Sequence, residues 1–343
     1  MPTMKRTHLA TGLAACLLSL TTLADAAQAA SSAVVIMYHR FGEGEYPATN
    51  TTQEQLDAHI QELTSGKYNV LPVAEITRRM TAGEPLPDRT VGITIDDAYR
   101  SVYTIAWPKF KAAGLPITIF ASTAHLDGGS AQHMTWAHLR EMRDGGAGVG
   151  HHTVSHLHMV DADQARNAEE IDVAHARFQA ELGMRPALFA YPYGEASAAI
   201  VRQVKDAGFA AAFGQHSGVI GNTVGRYYLP RFAMNEKYGD LSRLKLALNA
   251  LPLPVVDVTP PDHLIAGANP PAVGFTVGQN IGSLDQLACF LSHAGRAKLE
   301  RLGADRIEVR TEQPFPRGRT RLNCTLPGPD RRWRWYGRQF YRP

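Results

Sequence analysis

Val91-Gly92-Ile93-Thr94-Ile95-Asp96-Asp97 is the stretch from which the fold can be read. Five uncharged residues without polar alternation predict a strand buried on both faces, as a parallel sheet requires. Two carboxylates fall where that strand runs out. Like charges side by side at the end of a buried strand resist joint ionisation unless something compensates them, and a bound cation does so. Successive side chains at a strand end can point differently, so Asp97 could hold a metal while Asp96 stays free to move protons. For the pair alone, a helix-capping Asp beside a solvated one is the plain alternative.

Working outward, the same texture recurs. Ala33-Val34-Val35-Ile36-Met37-Tyr38 reads as a buried strand ending at His39. Helical patterns over Thr52 to Ser65 and Val73 to Met80 flank a short Asn69-Val70-Leu71 strand. Beyond Asp97, helices are predicted at Val102 to Ala113, Thr135 to Arg143, Asp163 to Leu182 and Ala196 to Ala207. They alternate with strands at Ile117 to Phe120, Gly148 to Gly150, Ala187 to Ala190 and Ala210 to Phe213. Such alternation predicts an α/β fold with a parallel sheet or barrel, and the polar residues of interest fall at strand C-terminal ends, where barrel enzymes place their sites.

One of those ends carries His151-His152-Thr153-Val154-Ser155-His156. His152 and His156 have the spacing of one helical turn, which would set two imidazoles on one side. Joined to Asp97 they make a two-histidine, one-carboxylate set with positions left for water, suited to zinc or a similar divalent ion.

These residues resemble the polysaccharide deacetylases with the NodB-homology fold, also called carbohydrate esterase family 4. Thr94-Ile95-Asp96-Asp97 is similar to the family's first motif and His152-Thr153-Val154-Ser155-His156 to its second. Ala190-Tyr191-Pro192-Tyr193 is similar to its third. The resemblance covers about Val34 to Met234. It implies a distorted (β/α)7 barrel, Asp96 as catalytic base, Asp97, His152 and His156 as ligands of Zn2+ (or Co2+ or Ni2+), and a polysaccharide substrate. Tyr191, Pro192 and Tyr193 would line the substrate site, with a backbone N–H near Tyr193 facing the oxyanion. Ala190 departs from the family, which commonly keeps an arginine there to orient the base; that support must be absent or come from elsewhere. The late Leu-x-His element that usually gives the general acid is also missing. Tyr38-His39 looks like the arrangement of the branch that trims exported poly-N-acetylglucosamine, which implies His39 as the acid, with His216 as its rival. The aromatic residues Tyr99, Trp107 and Trp136 are further candidates for a sugar-stacking wall, though each fits a core position too.

A chain of 343 residues, 44% apolar and 20% charged, can bury a full core, and its length suits one large unit and one small. Residues 1–30 have the basic start, apolar run and small-residue end of a signal peptide, predicting export to the periplasm or beyond. Leu13-Ala14-Ala15-Cys16 resembles a lipobox, but the apolar run continues past Cys16. Cys289 and Cys324 would then remain, as a disulfide or as two buried thiols. Residues 31–255 form the predicted deacetylase unit. Prolines crowd Leu251 to Pro271 as in a connector, and 256–343 alternate like half-exposed strands of a small β-sandwich. Arginines gather there with Trp333 and Trp335, as they would on a solvated strand face or on a surface meeting an acidic glycan or the envelope. The net charge of +3 implies no polyanion by itself, and export argues against nucleic acid. Oligomeric state is not legible. An O-acetyl esterase and a lapsed carbohydrate-binding protein are the alternative functions.

Overall fold

The computed structural model describes residues 1–3, 32–222, 225–278 and 281–343. The leader read over 1–30, apart from its first three residues, and the lipobox-like segment therefore lie outside the described residues. Among the described residues no helix is long and apolar enough to cross a membrane.

The first unit is built on strands β1 (Ala33–Tyr38), β2 (Asn69–Val70), β3 (Thr90–Asp96), β4 (Thr118–Ala121), β5 (Gly148–His151), β6 (Leu188–Ala190), β7 (Ala211–Phe213) and β8 (Phe232–Ala233). All pair in parallel, in the order β8-β1-β3-β4-β5-β6-β7, with β2 added beside β3. Every residue of β1 and β3 is buried, as their unbroken apolar runs require. The curved sheet is a distorted (β/α)7 barrel. Its seam is closed by Leu229 to Ala233: Leu229 bridges Phe213 of β7, while Phe232 pairs with Ile36 of β1. Sequence reading passed over this segment and the helix after it, Leu241–Leu248.

Helix starts follow their caps. Thr52, Thr135, Asp163 and Ser197 each accept a backbone N–H in the first turn. The helix predicted over Val102 to Ala113 differs in form. Val102–Ala106 is a π turn and only Trp107–Ala112 is α-helical. Pro108 explains this: it has no N–H to donate, and its ring crowds the carbonyl of Thr104.

Nine strands follow: β9 (Leu251–Pro252), β10 (Val255–Thr259), β11 (Val273–Val277), β12 (Ala288–Leu291), β13 (Gly295–Arg296), β14 (Lys298–Leu302), β15 (Arg306–Arg310), β16 (Gly318–Pro327) and β17 (Trp333–Arg342). They form a five-stranded sheet, β9-β17-β16-β12-β13, and a four-stranded sheet, β10-β11-β15-β14. Inward residues of both sheets share one core, including Val273, Phe275, Ile307, Leu322 and Phe340. Leu251 to Pro271 is thus no free connector, since β9 and β10 each belong to a sheet. Cys289 and Cys324 lie opposite one another on β12 and β16, Cα atoms 4.0 Å apart, and are disulfide-bonded.

Candidate active site

Strand ends bring the reading together. At the end of β3 the chain turns sharply, with φ of 72° at Asp97 and 54° at Ala98. This sends the two neighbouring carboxylates apart, Asp97 toward the histidines and Asp96 toward the barrel seam.

Asp97 Oδ1 lies 3.3 Å from His152 Nε2 and 3.2 Å from His156 Nε2. One ligand atom from each residue falls within 4.8 Å of the others, so the three form a group that could hold a metal ion. The donor chemistry fits. Asp97 Oδ1 and His152 Nε2 are buried with no hydrogen-bond partner among the described residues. His152 Nδ1–H donates to the Ala190 carbonyl at 2.7 Å, which fixes the tautomer and leaves the Nε2 lone pair free to coordinate. The helical-turn reading of the histidine pair does not hold. Residues 152–156 are a loop, with φ of 67° at Thr153 and 57° at His156. The imidazoles converge because Glu170, buried on the helix Gln164–Leu182, clamps that loop. Its carboxylate accepts the Val154 and Ser155 N–H groups at 2.9 and 2.8 Å and the Ser155 hydroxyl at 2.8 Å.

Asp96 is fully buried and sits in the fork of Arg231, at 2.7 and 2.8 Å. Arg231 is itself fully buried, and its Nε donates to the Gly214 carbonyl. Against the burial that would raise it, Arg231 and then His152 and His39 hold the Asp96 carboxyl below its ordinary value. The missing arginine at Ala190 is therefore supplied from the barrel seam. Sequence reading missed it, because Leu229-Pro230-Arg231-Phe232 carries no motif; a buried carboxylate without its expected partner was the only hint. His39 Nε2 lies 3.9 Å from Asp96 Oδ2. Burial lowers the His39 pKa, outweighing the pull of Asp97 and Asp96. The preceding Tyr38 is anchored by its hydroxyl to His59 Nδ1, which fixes the end of β1.

The third motif divides. The Tyr191 side chain is buried and its hydroxyl donates to the Tyr227 carbonyl, so it belongs to the core rather than to a substrate wall. Pro192 is buried as well. Tyr193, at a φ of 58°, turns its ring onto the site, 4.4 Å from the ring of His156 and stacked at 3.9 Å on His158. Gly194 follows at a φ of 67°, where a Cβ would meet the backbone of Gln215. His216 is buried and stacked on Tyr228, and burial, with His263 and Arg338 nearby, drives its pKa well down. Trp107 and Trp136 belong to the barrel core. The Arg40 guanidinium covers the Tyr99 ring, 3.5 Å from its centroid.

A parallel barrel with an aspartate-histidine-histidine group and a second, arginine-held carboxylate at its strand ends defines the site of a hydrolase class. Residues 83–212 match the family model described as polysaccharide deacetylase. A polysaccharide deacetylase of Bacillus subtilis (strain 168) is 23% identical over 197 residues, 57% of this chain and 69% of that protein. The poly-beta-1,6-N-acetyl-D-glucosamine N-deacetylase of Staphylococcus aureus (strain MSSA476) is 22% identical over 60% of this chain and 80% of its own length. The Escherichia coli (strain K12) protein of the same name is 22% identical, but only 30% of its length is covered. The fold is shared with the Streptococcus pyogenes deacetylase PplD (TM-score 0.59, 20% identity, 63% of this chain and 98% of that one). It is also shared with IcaB from Ammonifex degensii (TM-score 0.54, 21% identity, 65% and 99%).

Proposed function

We propose that this protein is an exported, metal-dependent hydrolase that removes N-acetyl groups from an N-acetylglucosamine-containing polysaccharide. Residues 31–255 would form the catalytic unit and 256–343 an appended one. The observation that carries the reading is Asp96 held in the fork of Arg231 beside the Asp97, His152 and His156 group. The printed names of the relatives support the polymer, and the leader and the Cys289–Cys324 disulfide support an oxidising compartment.

A divalent ion held by Asp97, His152 and His156, zinc by ligand preference with cobalt or nickel as alternatives, would supply an acidified water and polarise the acetyl carbonyl. Asp96 takes the proton as the water attacks, its two oxygens aimed by Arg231. Since burial lowers His39, its resting imidazole is neutral near neutral pH. The proton it gives to the departing amine therefore arrives during turnover, and Asp96, 3.9 Å away, is the donor. Tyr193 borders the acetyl site through its ring and its backbone N–H, which would face the oxyanion. An O-acetyl ester is the second reading. The same water and carboxylate would serve it, and an alcohol leaves with less help from an acid than an amine does.

Acetate release from N-acetylated β-linked oligosaccharides and from O-acetylated glycans, with and without chelator and alongside metal analysis, tests this. Chelator-sensitive acetate from the N-acetyl probe is the expected result. Release from the ester alone would move the assignment to the second reading. A metal-free protein inert on both would overturn the enzymatic account.

A further inference from the structure

A cleft of about 970 Å³ begins at His39 and Gln215 and runs between the barrel mouth and the five-stranded sheet of the C-terminal unit. It is continuous with the active site, since Gln215 reaches Asp96 Oδ2 at 3.4 Å. On its other flank, the Arg319 guanidinium lies 5.6 Å from the centroid of Tyr193, whose ring abuts His156. Its volume is at the upper end of the roughly 300–1,000 Å³ typical of small-ligand sites, so it offers room for more of a substrate than its acetylated unit.

The chemistry of its walls is specific. Tyr238, Phe290 and Trp333 line the cleft yet remain 42%, 42% and 39% exposed, flat apolar surfaces of the kind that stack on sugar rings. Charged side chains on the lining are all cationic: His39 aside, they are Arg243, Arg319 and Arg321, with no Asp or Glu. Arg243 is committed to the Ala233 and Tyr238 carbonyls. Arg321 is freer, and Arg319 shares its one carboxylate. The side chain of Arg321 is half-buried and, among the described residues, makes one hydrogen bond, Nε to Gln339 Oε1, and no ion pair. For Arg319 the nearest carboxylate is Glu195 at 3.6 Å, which is already bonded to His158 at 2.7 Å. Two neighbouring guanidiniums with only the shared Glu195 carboxylate beside one of them, in a partly desolvated cleft, repel each other unless a further anion joins them.

Resting on the proposed deacetylation, we propose that this cleft binds an acidic glycan. Arg319 and Arg321 receive a carboxylate on a sugar flanking the N-acetyl unit that reacts, and Phe290 and Trp333 support the ring faces. The reaction's own product sharpens the argument. Each deacetylated unit carries an ammonium, so a neutral homopolymer would become a polycation against an arginine wall, whereas a chain with regular carboxylates would not. The carboxylate could be that of a uronic acid or the lactyl ether of a muramic acid, which share this chemistry.

Three probes of equal length separate the cases: neutral β-linked N-acetylglucosamine oligomers, N-acetylglucosamine–glucuronate oligomers, and peptide-free N-acetylglucosamine–N-acetylmuramate oligomers. At low salt a carboxylated probe should show a KM roughly tenfold below the neutral one, and the gap should close at high salt. The probe that shows it identifies the source. Arg319→Gln with Arg321→Gln should erase the preference, bringing the KM of the carboxylated probes to that of the neutral one, with any change in kcat common to all three probes. Arg321→Lys, which keeps the charge, should retain most of it and controls for misfolding. Equal KM values in the wild type, or equal losses on acidic and neutral probes, would overturn the proposal. Should no probe release acetate, direct titration of the carboxylated oligomers into Asp96→Asn still decides it: salt-sensitive, arginine-dependent binding upholds the cleft assignment although the reaction fails, and no binding sinks it.

Discussion

Arg231 and Asp96 set the chemistry of this site at the scale of single residues. Both are fully buried, so removing one leaves the other's charge uncompensated. Arg231→Met should cost about 3–5 kcal/mol in denaturant unfolding. The sign of its pH effect follows from the depressed Asp96 pKa. A carboxyl held low when folded contributes stability that is present above its unfolded pKa, near 3.9, and lost as pH falls through the folded value. Without the arginine that folded value rises, so the acid-unfolding midpoint of the variant should move to higher pH. A midpoint that stays put would show that Arg231 does not ionise Asp96. His39 and His216 offer the other test. His39→Ala should lower kcat by about 10²–10⁴ with metal content unchanged, whereas His216→Ala, whose ring is buried in a stack with Tyr228, should leave kcat within a few-fold. The reverse pattern would hand the proton to His216. Asp96, Asp97, His152 and His39 could be singled out in the sequence because motif residues sit at strand ends. Arg231 could not, since what makes it matter is a contact across 135 positions of chain.

Elements position these residues by contacts that no local pattern announces. The loop 152–156 delivers two imidazoles only because Glu170 on the helix Gln164–Leu182 holds its backbone. Glu170→Ala should weaken metal affinity by about 10–100-fold, as loss of a ligand's supporting partner does, with the helix content unchanged; metal titration followed by calorimetry checks it. Unaltered affinity would mean the loop is held otherwise. The helix itself was readable over Asp163 to Leu182, and the structure places it at Gln164–Leu182, because helical periodicity is a local pattern. Its neighbour over Val102 to Ala113 was readable only as helical, since the widening into a π turn depends on how Pro108 is accommodated.

Across the whole molecule, the C-terminal unit buttresses the site. Gln339 on β17 is buried and donates to the Tyr193 and Gly194 carbonyls at 3.0 and 2.7 Å. At Gly337 a side chain would run into the carbonyl of Ser217, so only glycine lets this strand approach. Far from the site, Arg332 pairs with Asp88 at 2.8 Å. Gln339→Leu should therefore destabilise the protein by about 1–3 kcal/mol and also lower turnover, since the Tyr193 turn loses its support. Lost stability with full turnover would reduce the contact to simple docking.

What the sequence by itself determined are the features that local chemistry dictates: buried strands from unbroken apolar runs, helix starts from caps, and the acidic and histidine motifs at strand ends. Tertiary structure alone decided which arginine holds the base and what bends the histidine loop inward. It also decided that a proline-rich stretch enters a sheet and that the last strand reaches back to the third motif. These are meetings of residues far apart in the chain, fixed by how the barrel seam closes and how the second unit docks, and periodicity carries no record of them.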